Sequence, residues 1–254
     1  MTYVIAGLGF VGNAYYSVFK NYYKFRIVDP LYSSNTLDQL ENITGVICCV
    51  STPSDLDGRC DVSSVIDVVS KTPIDVPILI KSTVDLAGWK KIKELFPKHK
   101  IAFSPEFLRA ASALTDLAES TDVILSGDGI SFWRNFYKIK NKKIEFHLYS
   151  VEEAILIKYF RNSYLATKVS FFNQIYDFCV ANDIDFDSVR TGVGMDHRIS
   201  DSHTFVDAEF NRGWGGYCFP KDTSALLKMA EDSNVNLDIL STAVNYNSKI
   251  RKTN

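Results

Sequence analysis

The stretch "TYVIAGLGFVGNAYYSVFKNYYKFRIVDP" near the start of the chain limits the possible folds more than any other. It sets Gly7-x-Gly9-x-x-Gly12 between an apolar strand and an amphipathic helix, and a second apolar strand, Phe25 to Val28, then ends at Asp29. G-x-G-x-x-G alone is a weak signal; here strand, glycine turn, helix, strand and acid follow in order. Gly7 permits a tight turn, Gly9 lets the backbone approach a pyrophosphate and Gly12 allows close helix–strand packing. The helix that opens past Gly9, through Phe10 and Val11, offers free N–H groups and a positive dipole end to phosphates. Asp29, 17 residues after Gly12, is placed to accept hydrogen bonds from an adenosine ribose and to repel a 2′-phosphate. The expectation is an NAD site. The plainer alternative is a glycine-rich turn of another α/β domain, with Asp29 only ending a strand.

The strand pattern recurs in "GVICCVSTP" (Gly45 to Pro53), "VPILIKSTV" (Val76 to Val84), "KIAFSPEFL" (Lys100 to Leu108) and "DVILSG" (Asp122 to Gly127), with a helical stretch around "AGWKKIKELF". Apolar strands alternating with helices imply a mostly parallel sheet covered on both faces, with ligands beyond the carboxyl ends of its strands. That puts Ser51, Thr52, Ser82, Thr83 and Glu106 on one rim facing the cofactor. Singly, such residues are ordinary strand ends; three in succession carrying S-T-P, S-T-V and S-P-E make the case.

Residues 150–182, "SVEEAILIKYFRNSYLATKVSFFNQIYDFCVAN", hold no Gly or Pro and read as one long helix, opened by a Ser150/Glu153 capping box. Lys158 and Asn162 share a face of it one turn apart; on spacing alone, solvent exposure is the ordinary reading of such a lysine. A polar turn, a short helix and a glycine-containing loop follow in "DFDSVRTGVGMDHRI", and two amphipathic helices follow "WGGYCFPKD". The expected fold is α/β: a Rossmann-type, doubly wound, mostly parallel sheet over residues 1–148, then an all-helical domain over 149–254 with a long central helix.

Composition narrows the function. A formal net charge of −2 across 254 residues leaves no basic footprint for nucleic acid. No apolar run reaches the roughly 20 residues that span a membrane, and the amino terminus lacks the basic region of a signal peptide. Five cysteines fit neither a disulfide framework nor a zinc template, and the four histidines are scattered. A reducing, cytoplasmic setting without a metal site is expected.

One segment remains. "WGGYCFPKD", Trp214 to Asp222, puts a cysteine between a glycine pair and a lysine–aspartate pair, neighbours that a reactive thiol could use. With "GLGFVG", "VSTPSD", "IKSTV", "SPEFLR", "KYFRNSYLATKVSFFNQI" and "GMDHRI", in this order over nearly the whole chain, it resembles the UDP-glucose/GDP-mannose dehydrogenase family, most closely the UDP-glucose 6-dehydrogenase branch. The resemblance implies a four-electron oxidation of a nucleotide-sugar primary alcohol to a carboxylate with two NAD. It gives Cys218 the part of the nucleophile, through a thiohemiacetal and a thioester, and Lys158 that of oxyanion stabiliser, with Asn162 beside it. Asp222 and Thr83 match the family's pair that orders the hydrolytic water, and Glu106 matches the acid of its "PEFL". Phe107, Leu108, Arg109, Arg198, Gly215 and Lys221 match substrate-contacting positions, as do Glu106, Lys158 and Asn162.

There are two departures from the family pattern. Ala110 stands where the family has a second glutamate, which leaves Glu106 or water to assist hydrolysis. Family members also continue into a second Rossmann-like domain, whereas this sequence ends at Asn254, and "SDSHTFVDAEFNR" fits the usual substrate loop poorly. UDP-glucose is the first expected substrate, and a homodimer is expected through the long helix, whose Tyr159, Phe160, Phe171 and Phe172 lie on more than one face. Two alternatives stay open: an NAD-dependent dehydrogenase of a smaller hydroxy compound, akin to the 3-hydroxy-acid dehydrogenases, and a non-catalytic NAD-binding partner of a complete dehydrogenase.

Overall fold

A computed structural model describes residues 1–55, 57–207 and 212–251. Part of the poorly fitting substrate-loop segment, residues 208–211, therefore lies outside the described residues. The chain divides into two compact units, Met1–Asp55 with Cys60–Lys158, and Leu56–Arg59 with Tyr159–Asn254.

The first unit is built on a seven-stranded sheet. Its strands are β1 (Thr2–Ala6), β2 (Lys24–Val28), β3 (Gly45–Cys48), β4 (Ile78–Ile80), β5 (Ile101–Phe103), β6 (Asp122–Gly127) and β7 (Glu145–Leu148), in the order β2-β1-β3-β4-β5-β6-β7. The first five are mutually parallel, β6 runs antiparallel to β5, and β7 is parallel to β6. The mostly parallel, doubly wound expectation holds. Six strands are legible in the sequence; β7, "EFHL", escapes because it is a short, half-exposed edge strand without a continuous apolar run. Helices α1 (Phe10–Phe19), α2 (Ser63–Lys71), α3 (Leu86–Leu95), α4 (Ala113–Glu119) and α5 (Ile130–Lys138) connect the strands. Tyr3, Tyr15, Phe19, Trp133, Phe136 and Tyr137 form an aromatic core, and a 2.6 Å bond joins the buried Tyr15 and Tyr137 hydroxyls.

The sheet order reverses direction at β1, with β2 on one side and β3 on the other, and this is where a doubly wound sheet opens a crevice. Gly7 sits there at φ +88°, so close to β3 that a Cβ would lie 2.7 Å from the backbone of Cys49 and Val50. Gly12 is tighter: its Cβ would fall 2.0 Å from the Gly7 carbonyl oxygen. Both positions exclude every side chain on steric grounds.

Helix α6 (Val151–Ala181) begins in the first unit and passes into the second. The capping box forms in both directions: Glu153 N–H donates to Ser150 Oγ at 3.2 Å, and Ser150 N–H donates to Glu153 Oε2 at 2.8 Å. The second unit continues with α7 (Phe186–Gly194), α8 (Cys218–Asp232) and α9 (Asp238–Ile250). Within it Phe172, Cys179, Phe186 and Val206 pack together, and Trp214 packs with Ala166 and Val169. Helix α8 opens at Cys218 itself, so "CFPKD" forms its first turns rather than a loop before it. Pro220 is compatible with this because first-turn N–H groups have no intrahelical acceptor to lose.

Candidate active site

In the first unit, the carboxyl ends of the parallel strands place the glycine turn, Asp29, Ser51, Thr52, Ser82, Thr83 and Glu106 on one edge of the sheet. Helix α1 starts after Gly9, which supplies no side-chain cap, so its first N–H groups stay available. A Cβ on Gly9 would meet nothing within 4 Å, which leaves room beside these donors. Asp29 Oδ2 accepts from Leu8 N–H at 2.7 Å and Oδ1 from Leu31 N–H at 2.9 Å. The carboxylate thus shapes the glycine turn and keeps lone pairs for further donors. Ser82 Oγ donates to the Val50 carbonyl at 2.7 Å and ties two strand ends together. Thr52 is buried, Thr83 half-buried and Ser51 exposed.

Glu106 is buried and engaged through every oxygen. Its Oε1 accepts from Phe107 N–H at 2.7 Å and Leu108 N–H at 2.9 Å, its Oε2 lies 3.3 Å from Lys81 Nζ, and its main-chain oxygen accepts from Lys158 Nζ. Lys158 is itself buried, not solvent-exposed as its spacing suggests, and its ammonium lies 5.6 Å from the centre of the Phe107 ring. Burial opposes the charge on Lys81, but Tyr137, Glu106 and Cys49 around it raise its pKa above the ordinary lysine value. Lys81 has no role in the sequence reading, although a lysine directly after the fully buried strand Ile78–Ile80 was a usable signal.

In the second unit the first turns of α8 and the middle of α6 supply the polar groups. Asp222 is fully buried; Asn162 Nδ2 donates to its Oδ2 at 2.5 Å, and the buried Lys221 ammonium pairs with its Oδ1. Cys218 is half-buried at the first position of α8 and shares a helix face with Asp222, four residues on. Of the other thiols, Cys48, Cys60 and Cys179 are buried and Cys49 is half-buried; burial pushes Cys48 up to about 11 and Cys49 well above the ordinary thiol value.

The approach to Cys218 is anchored by residues the sequence reading does not single out. Trp214 N–H donates to Asn247 Oδ1 at 2.8 Å while Asn247 Nδ2 donates to the Trp214 carbonyl at 3.0 Å. Gly213 N–H donates to Asn173 Oδ1 at 3.1 Å. Asn173 and Asn247 look like ordinary polar positions on amphipathic helices; only their burial sets them apart. The Gly215 backbone is in close contact with the Arg251 guanidinium, where a Cβ would fall within 2.2 Å, whereas Gly216, at φ +73°, faces open space.

Two expected site residues are not gathered with these groups. Arg109 is exposed and paired with Asp116 at 2.6 Å, and Arg198 is exposed and paired with Asp196 at 2.5 Å. Among the described residues one constellation, Asp122, Glu145 and His147, has the ligand types for a metal. Asp122 and Glu145 are exposed, and His147 Nε2 is engaged with Asp122 Oδ1 at 2.7 Å.

Residues 152–249 match the central domain of the UDP-glucose/GDP-mannose dehydrogenase family. Over those residues the chain is similar to that family. It is 32% identical over 231 residues to a UDP-glucose 6-dehydrogenase of Rickettsia prowazekii, a match covering 85% of this chain and 52% of the relative. It is 30% identical over 216 residues to the UDP-glucose 6-dehydrogenase YwqF of Bacillus subtilis, covering 80% and 48% respectively. The chain therefore spans about half the length of the curated relatives it matches. A solved UDP-glucose dehydrogenase from the archaeon Pyrobaculum islandicum superposes with a TM-score of 0.83 at 22% identity, over 98% of this chain and 68% of that one. At that identity the superposition speaks for the fold. Among the described residues no helix is long and apolar enough to cross a membrane.

Proposed function

We propose that this chain carries the NAD-binding and thiol-bearing parts of a nucleotide-sugar dehydrogenase that oxidises a primary alcohol to a carboxylate, with UDP-glucose as the first substrate to test. The observation that carries the reading is the start of α8: a half-buried thiol opens a helix whose next turn holds a fully buried aspartate, clasped by Asn162 and Lys221.

The residues present fit NAD. Helix α1 presents uncapped N–H groups beside the open face of Gly9, and Asp29 keeps acceptor capacity for ribose hydroxyls. When bound, NAD supplies the hydride acceptor for each of two oxidation rounds. Cys218 sulfur adds to the aldehyde carbon made in the first round, forming a C–S bond, and Lys158 stabilises the oxyanion that results. Loss of hydride from that carbon leaves a thioester on Cys218. Thr83 and Asp222 order the water whose attack breaks the C–S bond, which releases the carboxylate and returns the thiolate. Glu106 serves the proton transfers of hydrolysis, Phe107, Leu108, Gly215 and Lys221 are assigned to the substrate, and Arg109 and Arg198 would have to leave Asp116 and Asp196 to reach it.

The reading includes a homodimer joined along α6. Its exposed aromatics Phe160, Tyr164, Phe171 and Phe178 recur at near-heptad spacing and form one stripe, the pattern that seats one helix against another.

The test is NADH formation from NAD and UDP-glucose, followed by absorbance. Two NADH per sugar and complete loss with Cys218→Ala are expected. One NADH per substrate would point to a simple alcohol dehydrogenase, and NAD binding without turnover of any nucleotide sugar would refute the enzyme reading.

A further inference from the structure

The buried Lys81 belongs to none of the roles above, yet it holds the segment that positions two of the proposed site residues. Its Nζ donates to Ser104 Oγ at 3.0 Å and to the Pro105 carbonyl at 3.2 Å, and lies 3.3 Å from Glu106 Oε2. One ammonium thus grips three consecutive residues just past the end of β5. The grip continues on the far side, where the Glu106 carboxylate turns back onto Phe107 and Leu108 N–H and its main-chain oxygen accepts from Lys158. Tyr15 closes the pocket, its ring centre 5.3 Å from Lys81 Nζ. All these groups belong to the first unit.

We propose that Lys81 is a positioning residue: by clamping residues 104–106 it fixes the Glu106 peptide carbonyl that orients the Lys158 ammonium, and the Glu106 carboxylate beside it. The proposal rests on the functional reading for what Lys158 does, but not for how Lys158 is held.

A buried ammonium with three acceptors across consecutive residues determines the path of that backbone. A neutral side chain of the same length would fill the space without holding the carbonyls. Removing it frees the Glu106 carbonyl to rotate, which loosens the hydrogen bond that this carbonyl accepts from Lys158. A displacement of the order of 1 Å at a positioned group costs roughly tenfold to a hundredfold in rate. NAD binding should hardly change, because the glycine turn and Asp29 make none of these contacts.

The experiment uses the full chain with Lys81→Met and Lys81→Arg. Pyridoxal phosphate labelling, trapped by borohydride and mapped by mass spectrometry, reports Lys158 reactivity, with the exposed Lys90 as internal control. Turnover of UDP-glucose is measured in parallel. In Lys81→Met, Lys158 labelling should rise about threefold or more, the change expected when one hydrogen bond that holds its ammonium is lost, while Lys90 labelling stays constant. kcat should fall about tenfold or more with KM for NAD within about twofold, and Lys81→Arg should recover part of both. A folded Lys81→Met protein with wild-type Lys158 labelling overturns the proposal. If Lys81→Met does not fold, Ser104→Ala removes one neutral contact of the clamp, and the same rise in labelling is required of it. A wild-type protein without turnover would sink the functional reading alone, because the labelling still decides whether Lys81 holds Lys158.

Discussion

Replacing Asn247 by alanine removes both halves of the clamp on Trp214. The amide oxygen accepts from the Trp214 N–H at 2.8 Å and the amide nitrogen donates to the Trp214 carbonyl at 3.0 Å, with Asn247 5% and Trp214 6% exposed. Truncation strands a buried peptide donor and acceptor together, and each stranded group costs about 1–3 kcal/mol. Water entering the vacated volume relieves part of that, so the net loss should be about 2–4 kcal/mol. The measurement must be local, since a chain of two units need not unfold in one step. Amide hydrogen exchange provides it: that loss makes the Trp214 N–H exchange roughly 30 to 1000 times faster. Asn247→Asp adds a sign test. Its acid form can still donate to the Trp214 carbonyl, whereas its ionised form repels that carbonyl, so burial raises the introduced carboxyl's pKa above the unfolded value. Its stability should be highest at low pH and fall as pH rises through that raised value. Trp214 exchange unchanged in Asn247→Ala, or a cost below about 0.5 kcal/mol, would show that the clamp does not hold the approach to Cys218.

Asp177 accepts from Arg212 at 2.7 Å and from the Tyr246 hydroxyl at 2.6 Å; burial works against its charge, but these partners hold its pKa below the ordinary aspartate value. The stabilisation is fully present above the unfolded pKa near 3.9 and is lost as pH falls through the lower folded value, so the urea-midpoint gap between wild type and Asp177→Asn should close towards pH 2. Self-association along α6 should give a dimer in analytical ultracentrifugation that Phe171→Glu, at an exposed position, converts to monomer without loss of helix content. A wild-type chain that sediments only as monomer removes the dimer.

How much of this was legible in the sequence depends on the range of the interactions. The glycine turn, the strand ends and the Ser150/Glu153 box are local devices, whose spacing states their geometry, and they are found where the spacing puts them. Lys158, Asn173 and Asn247 are helix residues whose spacing matches that of any solvated polar position. Their burial is set by distant partners, the Glu106 carbonyl for Lys158 and the Gly213–Trp214 backbone for the two asparagines. Such partners leave no periodic trace. Helix α8 starts inside "WGGYCFPKD", ahead of where its amphipathic pattern begins, because a proline in a first helical turn breaks nothing.

The buried polar groups bear on function as well as fold. Ion pairs taken out of water are weak contributors to stability, and apolar residues of the same volume often do as well or better. Each unit nevertheless buries one: Lys81 with Glu106 in the first, Lys221 with Asp222 in the second. In each case a second proposed site residue is tied to the pair, Lys158 through the Glu106 carbonyl and Asn162 through Asp222 Oδ2. Burial costs of this kind make sense if the pairs fix the direction of a neighbouring polar group more closely than packing alone could, which is what preorganised catalysis requires. On that reasoning, neutral substitutions of similar volume at either pair should cost turnover out of proportion to stability.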